Sequence, residues 1–158
     1  MINIVWKKLT KDAFLPKKNH PTDSGYDLYS PGDFFVPIGG NITIATNIAV
    51  QVYFDNKETA KRYLVTGKID GCSGNASKKG IDILGGRWDQ GYTGDIGVVL
   101  SNQGNAPITI RKGDKIAQIV FSLLPSISGE IVLKDGEDFK KETDRGEAGF
   151  GESSGGVE

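Results

Sequence analysis

The chain has 158 residues, 19 basic and 20 acidic, for a net charge of −1. That length suits one domain with a real core, and the balanced charge argues against a nucleic-acid coat. No apolar run approaches the ~20 residues of a membrane span, and the charged, alternating N-terminus does not read as a secretory leader. The single cysteine, Cys72, excludes an internal disulfide and points to a reducing, cytoplasmic setting, or the nucleus of a eukaryotic or viral system.

Glycine is the compositional outlier: 22 residues against a usual share of about 7%. The glycines fall between short β-branched or aromatic runs, which predicts tight turns in an all-β fold. In chain order the predicted strands are Ile2–Leu9, Tyr26–Tyr29, Phe34–Pro37, Ile42–Val52, Tyr63–Ile69, Ile81–Leu84, Gly94–Ser101, Ile108–Arg111, Ile116–Leu124 and Gly129–Leu133. Within Ile42–Val52 the residues Ile42, Ile44, Thr46, Ile48, Val50 and Val52 share one face at a period of two. Helix is expected only at Asn56–Arg62 and, more weakly, over Asn75–Lys79. Some ten short strands with little helix predict a jelly-roll-like β-barrel over residues 1–134. From Asp135 the chain turns charged and then glycine-rich, so residues 135–158 are expected to form a flexible C-terminal arm.

Five segments combine glycine with polar or charged side chains. In Ser24–Leu28, Asp27 beside a glycine turn suits the water shell of a hard cation such as magnesium, or simply caps the turn. In Gly71–Gly80, a Gly/Ser loop entering a short helix can cradle an anion on backbone N–H groups, with Ser73 adding a hydroxyl. It is not a Walker sequence. The only histidine, His20, is far from Cys72 in sequence, so no nucleophile pairing is evident there. Gly85–Asp95 reads as a hairpin tip, where Asp89 could act as general base and Tyr92 could lie against a sugar. Alternatively, Trp88 and Tyr92 are core aromatics. In Lys112–Phe121, Gln118 sits in an otherwise apolar run and needs a partner, structural or ligand. In Arg145–Gly155, Arg145 could clamp phosphate and Phe150 stack on a base, as in a closing lid, unless the segment is a plain tail.

Taken together and in this order, the five segments resemble the five motifs of trimeric dUTPases across about 22–155. The matches are Gly25-Tyr26-Asp27-Leu28-Tyr29-Ser30, then Ser73-Gly74 with Ala76 and Lys78, then Asp89, Tyr92 and Gly94. They continue with Gly113-Asp114-Lys115-Ile116-Ala117-Gln118, and end with Arg145-Gly146 and Gly149-Phe150-Gly151. The resemblance implies a homotrimer whose active sites are shared between subunits. It also implies magnesium-assisted hydrolysis of dUTP to dUMP and pyrophosphate, which keeps uracil out of DNA and supplies dUMP. By the same resemblance Asp89 activates the attacking water, and Tyr92 packs under the sugar and excludes ribose. Ser73, Gly74 and Gln118 contact phosphates, and Asp27 holds magnesium through water. Leu84 and Gly86 read uracil through their backbone. Arg145 grips the γ-phosphate, Phe150 stacks on uracil, and Ser153 completes the arm.

This chain also departs from the family pattern. Cys72 stands where the family has an arginine, and Arg87 and Trp88 replace two aliphatic residues. Asp95 replaces a glutamate, Glu152 is an extra residue in the arm, and Phe54–Arg62 contains an insertion. Loss of the arginine motivates an attenuated enzyme, with Arg87 or Lys68 as candidate compensating cations. It also motivates the alternative of a non-catalytic or weakly active nucleotide-binding protein. The sister activity, dCTP deamination, requires a glutamate where this chain has Val99, which argues against it.

Overall fold

The computed structural model describes residues 1–126. Gly129–Leu133, the boundary at residue 134 and the arm therefore lie outside the described residues, as do Arg145, Phe150 and Ser153. The described residues form eleven strands and two short helices. These are β1 (Ile2–Lys8), β2 (Gly25–Tyr29), β3 (Phe34–Val36), β4 (Asn41–Ala45), β5 (Ile48–Phe54), α1 (Lys57–Arg62) and β6 (Tyr63–Asp70), followed by α2 (Ser73–Lys79), β7 (Ile81–Leu84), β8 (Arg87–Asp89), β9 (Gly97–Asn102), β10 (Ile108–Ile110) and β11 (Lys115–Pro125). The main sheets are β2-β11-β6-β8 and β4-β9-β7, accompanied by the two-stranded sheets β1-β5 and β10-β3, every pairing antiparallel. This is the expected all-β, jelly-roll-like barrel.

Four expectations are corrected. The single strand Ile42–Val52 is two: β4 pairs with β9 and β5 with β1, and Asn47 takes a left-handed φ of 58° at the bend. Asparagine tolerates that conformation better than β-branched residues do. Ile44, Thr46, Ile48, Val50 and Val52 are nonetheless all buried. The period of two reports one core face, although the chain changes sheets. Thr46 holds the bend by donating to the Ile96 carbonyl at 2.8 Å.

The predicted hairpin is real, since Leu84 pairs with Val99 and Ile81 with Asn102. Its connection is not a simple tip, however. It crosses to the other sheet, where β8 pairs with β6. Gly85 and Gly86 make that crossing with φ of 69° and 94°, and a Cβ on Gly86 would lie 2.7 Å from the Ile69 carbonyl oxygen. Finally, β9 starts at Gly97, not Gly94, and α2 starts at Ser73.

Both helices end where their chemistry dictates. Asn56 caps α1, its Oδ1 accepting from the Glu58 and Thr59 amides at 2.8 and 3.1 Å. α1 is an exposed helix with no buried residue. At the end of α2, Gly80 adopts φ 66° and returns its N–H to the Ala76 carbonyl.

Candidate functional site

Pairing register places the site residues on one open face of the β2-β11-β6-β8 sheet. Gln118 on β11 lies between Asp27 on β2 and Asp70 on β6. The next row on that face holds Val120, Lys68 and Arg87, and the one after it Ser122, Thr66 and Asp89. The opposite face carries Ile119, Ile69 and Trp88 into the core. Gly25 makes the room Gln118 needs: a Cβ there would sit 2.6 Å from Gln118 Oε1.

A β-bulge completes this end of the face. Between Lys115 and Ala117, β11 takes two steps while β2 takes one, from Tyr29 to Leu28. Lys115 and Gln118 are three residues apart, so a regular strand would point them to opposite faces. The bulge buries both Ile116 and Ala117 and leaves Lys115 on the side of Gln118. Lys115 Nζ then lies 3.4 Å from Oδ2 of Asp27, a carboxylate residue only 7% exposed. Burial works against the Lys115 ammonium, but Asp27, with help from Cys72 and Tyr29, outweighs it and raises the pKa.

A cavity of about 320 Å³ opens here, lined by Cys72, Ser73, Gly74, Asn75, Lys115 and Gln118. At the start of α2 the amides of Ser73 and Gly74 have no intrahelical acceptor. Asn75 ties the helix to β11 by donating to the Lys115 carbonyl at 3.0 Å. Cys72 is 8% exposed, and burial pushes its thiol pKa up. Lys115 is the residue that reading the sequence missed as a site group. Its signal was the charged turn before an apolar strand, but only the bulge aims it. Lys68 and Arg87, the candidate compensating cations, do not line the cavity. Lys68 is paired with Asp70 at 2.6 Å, and Arg87 donates to Thr66 Oγ1 at 3.3 Å. A larger cavity of about 620 Å³ behind α2 carries Lys78 and Lys79 but no carboxylate.

At the far end of the face Asp89 is exposed and makes no side-chain hydrogen bond or ion pair among the described residues. Its strand is fixed from below. Trp88 is 3% exposed and packs edge-on against Phe121 at 5.4 Å, over Gly67, where a Cβ would meet the Trp88 Cβ at 3.1 Å. Trp88 is therefore a core aromatic, whereas Tyr92 is not. The Tyr92 ring is 50% exposed, lies over Gly94 and donates its hydroxyl to the Asp95 carbonyl at 3.0 Å. Leu84 is exposed at the end of β7, and the Gly86 carbonyl accepts from the Ile69 amide at 2.7 Å.

Asp89 stands opposite Thr66 and Gln118 opposite Asp70, so the two are four residues and two strand spacings apart. That is roughly 16 Å between backbones, at ~3.3 Å per residue and ~4.8 Å per strand. Within one chain the cradle and Asp89 are thus separate groups. No cluster of three potential metal ligands occurs among the described residues. A lone buried carboxylate fits a magnesium ion that keeps its water and phosphate oxygens, and does not fit an all-protein cage. No helix among the described residues is long and apolar enough to cross a membrane.

A family model described as dUTPase matches residues 11–154. The deoxyuridine 5'-triphosphate nucleotidohydrolase of Yaba monkey tumor virus is 35% identical over 147 residues, covering 93% of each chain. That of Paramecium bursaria Chlorella virus 1 is 32% identical over 151 residues, covering 96% of this chain and 97% of the relative. Among solved structures, Staphylococcus bacteriophage 80alpha dUTPase with dUPNHPP superposes with a TM-score of 0.79 at 28% identity, covering 98% of this chain and 99% of the phage chain.

Proposed function

We propose that this chain, which belongs to the dUTPase family, hydrolyses dUTP to dUMP and pyrophosphate. The observation that carries the reading is the anion cradle of Ser73, Gly74, Lys115 and Gln118 beside buried Asp27. It offers backbone and side-chain donors and one cation to a phosphate chain.

In this reading a water attacks the α-phosphorus. A new P–O bond forms, the bond to the bridging α–β oxygen breaks, and pyrophosphate leaves with the bonding electrons. Asp89 orients the water and accepts its proton, a role its exposed carboxylate leaves it free to take. Tyr92 presents the open side of its fixed ring to the deoxyribose, and the backbone of Leu84 and Gly86 faces the uracil. Asp27 would accept from the water shell of a magnesium ion brought in with the phosphates, and that ion would supply neutralisation of the triphosphate's charge. Arg145, Phe150 and Ser153 are proposed to close the site from the arm. The gap between cradle and Asp89 within one chain supports a homotrimer in which another subunit brings its Asp89 to the cradle.

Pyrophosphate release from dUTP in the presence of magnesium tests the activity. A folded protein that releases none at any magnesium concentration sinks the reading. Light scattering tests the assembly, where a monomer at micromolar concentration would exclude shared sites.

A further inference from the structure

Lys115 and Asp27 neutralise each other in the free protein, and each is the group that one component of the substrate complex needs. Lys115 is the only cation lining the cradle among the described residues. Its side chain is 40% exposed and long, so the ammonium can turn from the carboxylate into the cavity. Asp27 cannot follow it, being on a central stretch of β2 and 9% exposed at its side chain. A buried carboxylate that loses its counter-charge is strongly disfavoured unless another cation replaces it.

Three binding events therefore differ. A metal-free triphosphate that draws Lys115 away leaves Asp27 unpaired beside its own negative charge. A free divalent cation approaching Asp27 meets an ammonium 3.4 Å from the carboxylate. The cation–nucleotide complex supplies an anion for Lys115 and a cation for Asp27 at once. We propose that the Lys115–Asp27 ion pair is exchanged on binding, so that divalent cation and nucleotide bind far better together than either does alone. The inference rests on the dUTP-hydrolase reading above and adds to it a coupling built into this chain's own charges.

The test is binding, not turnover. Affinity for the non-hydrolysable α,β-imido-dUTP is measured by calorimetry with and without magnesium, and affinity for Mn²⁺ alone by paramagnetic resonance. Asp27→Asn should bind the metal-free analogue about tenfold more tightly than the natural protein, within the ~5–150-fold range of ordinary site coupling, and should lose most of the enhancement by magnesium. Lys115→Met should bind Mn²⁺ alone severalfold more tightly, because Asp27 is released. Lys115→Arg keeps the positive charge and should keep the enhancement by magnesium, whatever its absolute affinity; loss of that enhancement in the folded variant would count against the exchange. The proposal is overturned if Asp27→Asn gains no metal-free affinity, or if folded Lys115→Met gains no affinity for Mn²⁺. Should Lys115→Met fail to fold, the Asp27→Asn comparison decides alone. A natural protein that binds no analogue under any condition overturns the function itself. One that binds it without these shifts overturns only the exchange.

Discussion

The two ends of the open sheet face are built in opposite ways. At the cradle, Asp27, Gln118, Asn75 and Lys115 are tied to one another or to backbone, across three strands and a helix start. At the other end Asp89 projects from a three-residue strand, held only through the backbone above Trp88. On the proposed reading, the difference is between a binding surface finished within one chain and a reactive group left for something else to meet. Preorganised donors cost nothing further when charge arrives, whereas a lone carboxylate becomes useful only once substrate and water are placed beside it.

Asp89→Asn should produce the largest effect. Turnover should fall by about 10²–10⁴-fold while binding of the imido analogue is retained, because the amide cannot accept the proton. An unchanged rate of pyrophosphate release would remove Asp89 from the chemistry. Ending the chain after Thr143 comes next. Activity should drop on the order of a hundredfold if Arg145 and Phe150 act as the proposed clamp and stack. The thermal midpoint should hold, and full activity of the shortened chain would exclude a lid.

Gly86→Ala should destabilise the protein by about 1–3 kcal/mol, through its φ of 94° and its contact with Ile69. Denaturant unfolding reads this directly, and a midpoint equal to that of the natural protein would mean the crossing is not constrained as described. Cys72→Arg should raise kcat/KM for dUTP at least about tenfold, the lower end of one charge-assisted hydrogen bond. No gain in a folded protein would mean that Lys115 already fills the missing role.

The smallest effect concerns the Cys72 thiol itself. Burial raises its pKa above that of an unfolded chain, so the folded protein keeps the proton where the unfolded chain loses it. Stability should therefore decline as pH climbs through the unfolded value, near ~8.5. Alkylation at neutral pH should be slower than that of a free thiol. Labelling at the rate of a model thiol would show that Cys72 is not shielded.

Much of the fold was legible in the chain because local chemistry and burial agree. The period of two from Ile42 to Val52 marks residues that are in fact core-facing, and the helix expected over Asn56–Arg62 forms as α1 behind Asn56. The candidate site was legible only as segments, each a glycine turn with a polar side chain; the structure brings Asp27, Ser73 and Gln118 together and leaves Asp89 apart. Alternation fails at Lys115, because a bulge inserts one residue and reverses which face follows. Nor does it show the changes of partner strand at Thr46–Asn47 and Gly85–Gly86, which leave the composition unaltered.

The sequence by itself determined which residues could face the core and which could carry charge, since burial and turn chemistry act on neighbours along the chain. Which charges meet was decided only by tertiary structure. The Asp27–Lys115 pair joins residues 88 positions apart through strand register. The separation of Asp89 from the cradle follows from β8 joining β6 rather than β11. Register and strand order are long-range choices, fixed by the packing of whole sheets, and no local pattern encodes them.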